Sequence, residues 1–124
     1  MESILNSIKK FIGLSDAYTA FDPDLIILIN SEFSTLHQVG VGTSSAFKIE
    51  DESSVWSDFS GDKDYIESVK ELIGIRVKMI FDPPANSFVM EALKSKADEL
   101  TWRLNVADDP ILREESTSDN DVED

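Results

Sequence analysis

Two adjacent prolines, Pro83 and Pro84, constrain the fold of this chain more than any other feature. Proline has no backbone N–H donor and disfavours the α conformation in the residue before it, so an arriving helix ends just before this pair. Asn86 or Ser87 then suits an N-cap, because its side-chain oxygen can accept a hydrogen bond from a free backbone N–H. The next proline is Pro110, and no glycine follows the pair. The sequence therefore predicts a helix–corner–helix hairpin.

Apolar residues recur at the 3.6-residue helical period in four segments. The predicted helices cover residues 3–12, 22–39, 62–80 and 87–105. Their apolar stripes are, in chain order, Ile4, Ile8, Phe11 and Ile12; Leu25, Ile29, Phe33 and Leu36; Ile66, Val69, Ile73, Val77 and Ile80; and Val89, Leu93, Ala97, Leu100 and Leu104. Gly13 and Gly40 suit the ends of the first two helices, while Asp22 suits the N-cap of the second and Pro23 its first helical position. The pattern predicts a small all-α bundle of about four helices.

The third predicted helix is ambiguous. Leu72, Ile75 and Met79 form a second apolar stripe opposite the first, and we expect this second face to lie at a subunit interface because the chain is small. However, residues 73–81 also alternate between apolar and other residues as a β-strand does. The pattern alone leaves helix and strand open.

A long polar connection, residues 40–61, separates the second and third helices and carries aromatic residues. We expect a loop, with the option of a short strand or hairpin. Connections of this length inside a compact domain are usually functional or disordered. Trp56 and Phe59 have two alternative roles: they fasten the loop to the core, or they belong to an arm that contacts a neighbouring subunit.

The charge of the chain, −14 at pH 7, argues against a protein that grips phosphate backbones, which needs clustered Lys and Arg. Residues 108–124 carry eight acidic side chains and one arginine, which is half of the net charge. We therefore divide the chain into a helical domain, residues 1–107, and an acidic tail, residues 108–124, that we expect to be disordered in the free protein. The tail is either a solubilising end or a segment that orders against a partner.

Catalytic and metal-binding motifs are missing from the sequence. His37 is the single histidine, there is no cysteine, and no nucleophile-elbow motif is present. The acidic spacing that begins at Asp58 resembles a calcium loop, but Lys63 stands where an EF-hand needs glycine and Val69 where it needs glutamate. No apolar run approaches the roughly 18 residues of a membrane span. We predict no enzymatic activity, no cofactor, no metal and no membrane partner.

Four segments resemble the head–tail connector proteins (adaptor or head-completion proteins) of long-tailed bacteriophages. They read FDPP at 81–84, SFVMEALKSKADELTWRLNV at 87–106, LHQVGVG at 36–42 and FKIEDESSVWSDF at 47–59, and the resemblance covers roughly residues 22–106. It implies a helical bundle, and so favours a helix over residues 73–81.

The same resemblance implies a structural protein of the virion at the head–tail junction, made in the host cytoplasm. Such a protein forms a ring of about twelve copies below the portal protein, contacts a stopper or tail-completion protein, and lets the packaged DNA pass without specific binding. The alternative is an acidic inhibitor, DNA mimic or regulatory protein that binds a host protein.

Candidate interface residues are the apolar side chains that have no place in the helical stripes. Aromatic residues are favoured at the energetic centres of interfaces. The candidates are Trp56, Phe59, Trp102, Ile111 and Leu112.

Overall fold

The computed structural model describes residues 2–40, 47–60 and 63–108, and this part of the chain forms an all-α bundle. Five helices occur in it: α1 (Ile4–Phe11), α2 (Asp22–Gln38), α3 (Trp56–Phe59), α4 (Lys63–Phe81) and α5 (Ser87–Asp108). The all-α prediction is confirmed. No β-strand forms in the described ranges, where the loop before α4 contains the single-turn α3 and one isolated antiparallel bridge between Ser3 and Val55.

Helix α4 is the centre of the bundle and packs against α5, α2 and α1. Both of its apolar stripes are buried in the middle of the helix, with Ile73 on one side and Leu72 and Ile75 on the other. The chain's own helices cover the second stripe, so the expectation that this face lies at a subunit interface is wrong for these residues. The strand alternative is also excluded, because residues 73–81 are helical.

The proline corner has the predicted form. Helix α4 ends at Phe81, and Asn86 caps α5, since its Oδ1 accepts hydrogen bonds from the N–H groups of Phe88 at 2.8 Å and Val89 at 3.4 Å. The corner is short, so α5 returns antiparallel along α4.

Both ends of α1 follow from local sequence, whereas the predicted N-cap of α2 is wrong. Ser3 caps α1 by accepting from the N–H of Asn6 at 3.2 Å, and Gly13 follows the helix with a φ of +90°, a conformation that glycine adopts without steric cost. Asp22 is the first residue of α2 and not its N-cap, which is Phe21. The Asp22 carboxylate instead lies 2.9 Å from the buried Nζ of Lys9, an ion pair without hydrogen-bond geometry.

Helix α1 approaches α4 closely at Gly74. A Cβ on Gly74 would lie 2.7 Å from Cγ of Phe11, so the Phe11 ring rests on the backbone of α4 where only glycine leaves room. Phe11 remains 41% exposed on its other side. It therefore belongs only partly to the core stripe that the periodicity predicts.

Candidate assembly surface

The aromatic residues of the long loop lie in the core of the single chain. Trp56 is 4% exposed and Phe59 5%, and both rings contact the Phe33 ring of α2. Phe47 contacts Phe33 and Phe59 edge-on, with centroid separations of 4.9 and 5.4 Å. This burial favours the first alternative given above, in which Trp56 and Phe59 fasten the loop to the core.

Hydrogen bonds from Trp56 and from its neighbour Ser54 join the loop to the N-terminal helix. The Trp56 Nε1–H donates to the hydroxyl of Ser7 at 3.0 Å, and the N–H of Ile4 donates to the carbonyl of Ser54, also at 3.0 Å. A buried indole N–H usually has a partner, and here the partner sits on the buried face of α1. The loop and α1 therefore stabilise each other.

Asn30 of α2 holds the beginning of the loop, a role that the sequence analysis missed. Its Oδ1 accepts from the Ile49 N–H at 2.8 Å, and its Nδ2 donates to the Ile49 carbonyl at 2.9 Å. The side-chain amide thus satisfies both backbone groups of a buried residue, as a neighbouring strand would. Asn30 and Ile49 are 19 residues apart in the sequence, and only the fold brings them together.

The outer face of α5 shows the opposite arrangement of aromatic residues. Ala97, Leu100 and Leu104 face the bundle and are buried, so Trp102 points away from it and is 67% exposed. Phe88, near the start of the same helix, is 86% exposed. The structure therefore places Trp102, a predicted interface residue, on the surface, and it adds Phe88, whose separation from Trp102 by two heptads was a signal available in the sequence.

Two residues predicted for the core stripes are exposed near the proline corner. Val89 is 46% exposed and Ile80 60%. The helical period indicates which way a side chain points, but it does not indicate whether another element covers that direction. Ile111 and Leu112, also predicted for the interface, lie outside the described residues.

A cleft of about 270 Å³ lies where α2 and α5 both border α4. Glu32 is buried at its edge and pairs with the Nε of Arg76, and Asp98 and Lys94 of α5 line the other side. A buried carboxylate needs such a partner to offset its lost hydration. The pair satisfies itself within the chain, which makes it a structural link between α2 and α4.

Other polar groups in the described residues show no arrangement for catalysis. His37 lies half-buried in the last turn of α2. Within the described ranges, no three His, Cys, Asp or Glu side chains come together as a metal site. No helix of the described part has the length and apolar character that a membrane crossing requires.

The comparison with protein families shows what kind of protein this is. The family described as "Phage connector protein" matches residues 4–110, which is most of the chain. The chain belongs to the phage connector protein family, a family of structural proteins, and the predicted resemblance is confirmed. Comparisons with curated proteins and with solved structures find no match.

Proposed function

We propose that this protein is a head–tail connector that assembles as a ring below the portal protein, extends the DNA channel and presents a surface to a stopper or tail-completion protein. Its membership of the phage connector family, over residues 4–110, carries the proposal. Membership places the protein among virion structural components that interact with other head and tail proteins. The ring, the portal contact and the channel are the finer parts of the proposal.

The geometry supports an assembly protein. The described residues lack an arrangement for catalysis, while α5 exposes two large aromatic side chains on one face. Exposed tryptophan and phenylalanine leave apolar area in water, and burying it against another protein is favourable. The candidates that remain for the interface are Trp102 on this face and, outside the described residues, Ile111 and Leu112.

Deletion of the gene tests the proposal most directly. In the absence of the protein, electron microscopy of the lysate is expected to show separate heads and tails, with heads that have lost DNA. A plasmid copy of the gene should restore joined particles, which excludes an effect on neighbouring genes. Normal infectious particles without the protein would contradict the proposal and favour the alternative of an inhibitor or regulatory protein.

The net charge of −14 fits a channel through which DNA slides. Carboxylates that face the channel would repel phosphates, so the duplex would not adhere to the wall. We expect no binding of duplex DNA by the purified protein at low salt, where charge interactions reach furthest. Fluorescence anisotropy with a labelled duplex measures this, with a basic DNA-binding protein as the positive control. Tight binding would contradict the sliding-channel part of the proposal.

A further inference from the structure

Three aromatic rings form a row on the surface where the connection between α1 and α2 meets the end of α4. The ring centroids of Tyr18 and Phe21 are 5.7 Å apart, and Phe21 contacts Phe81 edge-on at 5.1 Å. Tyr18 is 47% exposed and Phe21 37%, whereas Phe81 is half-buried. These three residues, the aromatic row, leave apolar area in water that a partner can bury.

A buried lysine fixes the backbone on both sides of the exposed rings. The Lys9 side chain of α1 is fully buried, and its Nζ donates to the Asp16 carbonyl at 3.0 Å and lies 2.9 Å from the Asp22 carboxylate. These two contacts come just before and just after the exposed rings in the chain. Ordering a flexible segment costs free energy when the segment binds a partner, and a segment that is already fixed avoids that cost. The aromatic row is therefore preorganised.

The two segments that supply the aromatic row carry negative charge only. Residues 11–36 contain four acidic side chains, residues 79–93 contain two, and neither segment contains lysine or arginine. Asp16 and Asp24 are exposed and form no ion pair with another described residue. Asp24 follows Phe21 by three positions, a spacing that makes side chains neighbours on a helix surface. The exposed rings are thus bordered by two carboxylates that no cation of the described chain neutralises.

Arginine is the side chain that suits both the rings and the carboxylates. Its guanidinium stacks on aromatic rings and pairs with carboxylates through its planar set of donors, whereas the ammonium of lysine is compact and more strongly hydrated. We propose that the aromatic row is a docking site for an arginine-bearing segment of another virion protein. The guanidinium lies against Tyr18 and Phe21 and pairs with Asp16 or Asp24. That the partner is a head or tail protein rests on the proposed function, while its arginine chemistry rests on these residues alone.

A second copy of the chain is poorly suited to supply that arginine. The chain contains three arginines. Arg76 pairs with the buried Glu32, and Arg103 lies 3.9 Å from Glu99 on the same helix. Arg113 belongs to the acidic tail, whose eight acidic side chains are repelled by the carboxylates beside the aromatic row. The occupant is therefore a different protein.

Nuclear magnetic resonance with two matched peptides tests the preference for arginine. The isotope-labelled full-length protein is titrated with end-blocked Gly-Arg-Gly-Arg-Gly and with the same peptide carrying lysine in place of arginine. Both peptides have the same charge, and about 0.15 M salt weakens contacts that depend on charge alone. Tyr18→Leu removes a ring and keeps an apolar side chain. Trp102→Leu, which removes an exposed ring on α5, is the matched control.

The arginine peptide is expected to bind at least about twice as tightly as the lysine peptide and to shift the amide signals of the aromatic row. Tyr18→Leu should reduce this preference, whereas Trp102→Leu should retain it. Equal affinity for the two peptides would overturn the proposal, because it would reduce the binding to charge attraction. Shifts confined to the acidic tail, or a preference that Tyr18→Leu leaves unchanged, would also overturn it.

Photo-cross-linking in infected cells tests the partner. In a plasmid copy supplied to the gene deletion, p-benzoylphenylalanine replaces Tyr18 or, as the control, Ile27, which is 67% exposed on α2. The Tyr18 position is expected to yield a product that the control lacks, with the attachment site within a few residues of an arginine in a head or tail protein. An attachment site in a second copy of this chain, a site without a nearby arginine, or no product beyond the control would overturn the proposal.

These outcomes are separable from those of the gene deletion. Normal particles after deletion would remove the connector function but leave the arginine preference of the purified chain intact. Deletion that separates heads from tails, together with equal binding of the two peptides, would retain the connector and reject this docking site.

Discussion

The loop before α4 and the outer face of α5 both carry aromatic residues, but with opposite environments. Trp56 of the loop is 4% exposed and Trp102 of α5 is 67% exposed. Trp56 packs against Phe33 and donates its indole N–H to Ser7, whereas Trp102 points to solvent from a helix whose opposite face is already buried. The difference shows that an irregular segment can contribute more to the core than a regular helix face, provided that side chains from other elements hold it in place.

The largest expected effect comes from the centre of the aromatic cluster. Phe33→Ala should lower the free energy of unfolding by about 3–5 kcal/mol, because it leaves a cavity that Phe47, Trp56 and Phe59 line. Trp102→Ala should change it by less than about 0.5 kcal/mol, since that ring is exposed in the single chain. Urea denaturation followed by circular dichroism measures both. A large loss for Trp102→Ala would show that the two tryptophans are not in different environments.

The next effect concerns the side chain that holds the loop. Asn30→Ala should cost about 1–3 kcal/mol, because the buried N–H and carbonyl of Ile49 both lose their partner. Gln38→Ala, on the exposed end of the same helix, is the control and should have little effect. If Asn30→Ala has no more effect than Gln38→Ala, the aromatic rings alone hold the loop.

Phe11 of α1 is 41% exposed, which is intermediate between Trp56 and Trp102. Gly74→Ala tests the contact between the Phe11 ring and the backbone of α4. Alanine improves helix propensity by about 1 kcal/mol over glycine, but its Cβ would collide with the Phe11 ring. Overpacking costs about 1–3 kcal/mol, so a net loss of about 1 kcal/mol is expected.

In a Phe11→Ala background the collision disappears, and the same Gly74→Ala change should stabilise the protein by about 1 kcal/mol. This reversal of sign in a double-mutant cycle isolates the ring–backbone contact. A destabilising Gly74→Ala in both backgrounds would show that another group fills the space.

The smallest expected effect depends on pH. The hydrogen bond from Lys70 to the Glu2 carboxylate holds the pKa of Glu2 below its ordinary value of 4.5. A depressed folded-state pKa stabilises the protein above the unfolded-state pKa, and this contribution is lost as the pH falls through the folded-state value. Because Glu2 is largely exposed, Glu2→Gln should cost less than about 1 kcal/mol at pH 7. The difference from the natural chain should vanish in acid, and Glu67→Gln, an exposed change of the same charge, is the control.

Much of the fold could be predicted because it depends on local chemistry. The ends of α1, the corner before α5 and its Asn86 cap all follow from proline, glycine and capping residues within a few positions. The strand-like alternation of residues 73–81 was the exception, since period two and period 3.6 overlap in a short apolar run. Burial of that run within α4, between helices on several sides, explains why both of its faces are apolar.

The candidate surface was predicted only in part. Trp102 was correctly singled out for exposure because it lies outside the α5 stripe. Trp56 and Phe59 also lie outside any stripe, yet they are buried, because Asn30 and Phe33 of a distant helix fold the loop inward. Val89 and Ile80 lie within stripes and are exposed. The helical period predicts which way a side chain points, but no local signal predicts whether another part of the chain covers that side chain.

The sequence by itself determined where the helices form and where the chain turns, and it placed Phe88 and Trp102 fourteen residues apart on α5. Those features depend on backbone sterics and on hydrogen bonds between near neighbours, which act over a few residues. The tertiary structure alone decided which tryptophan is buried and which is exposed to solvent. Burial depends on surfaces that meet only after the chain has folded, such as Phe33 against Trp56 and Asn30 against Ile49, and their chemistry is complementary only in three dimensions.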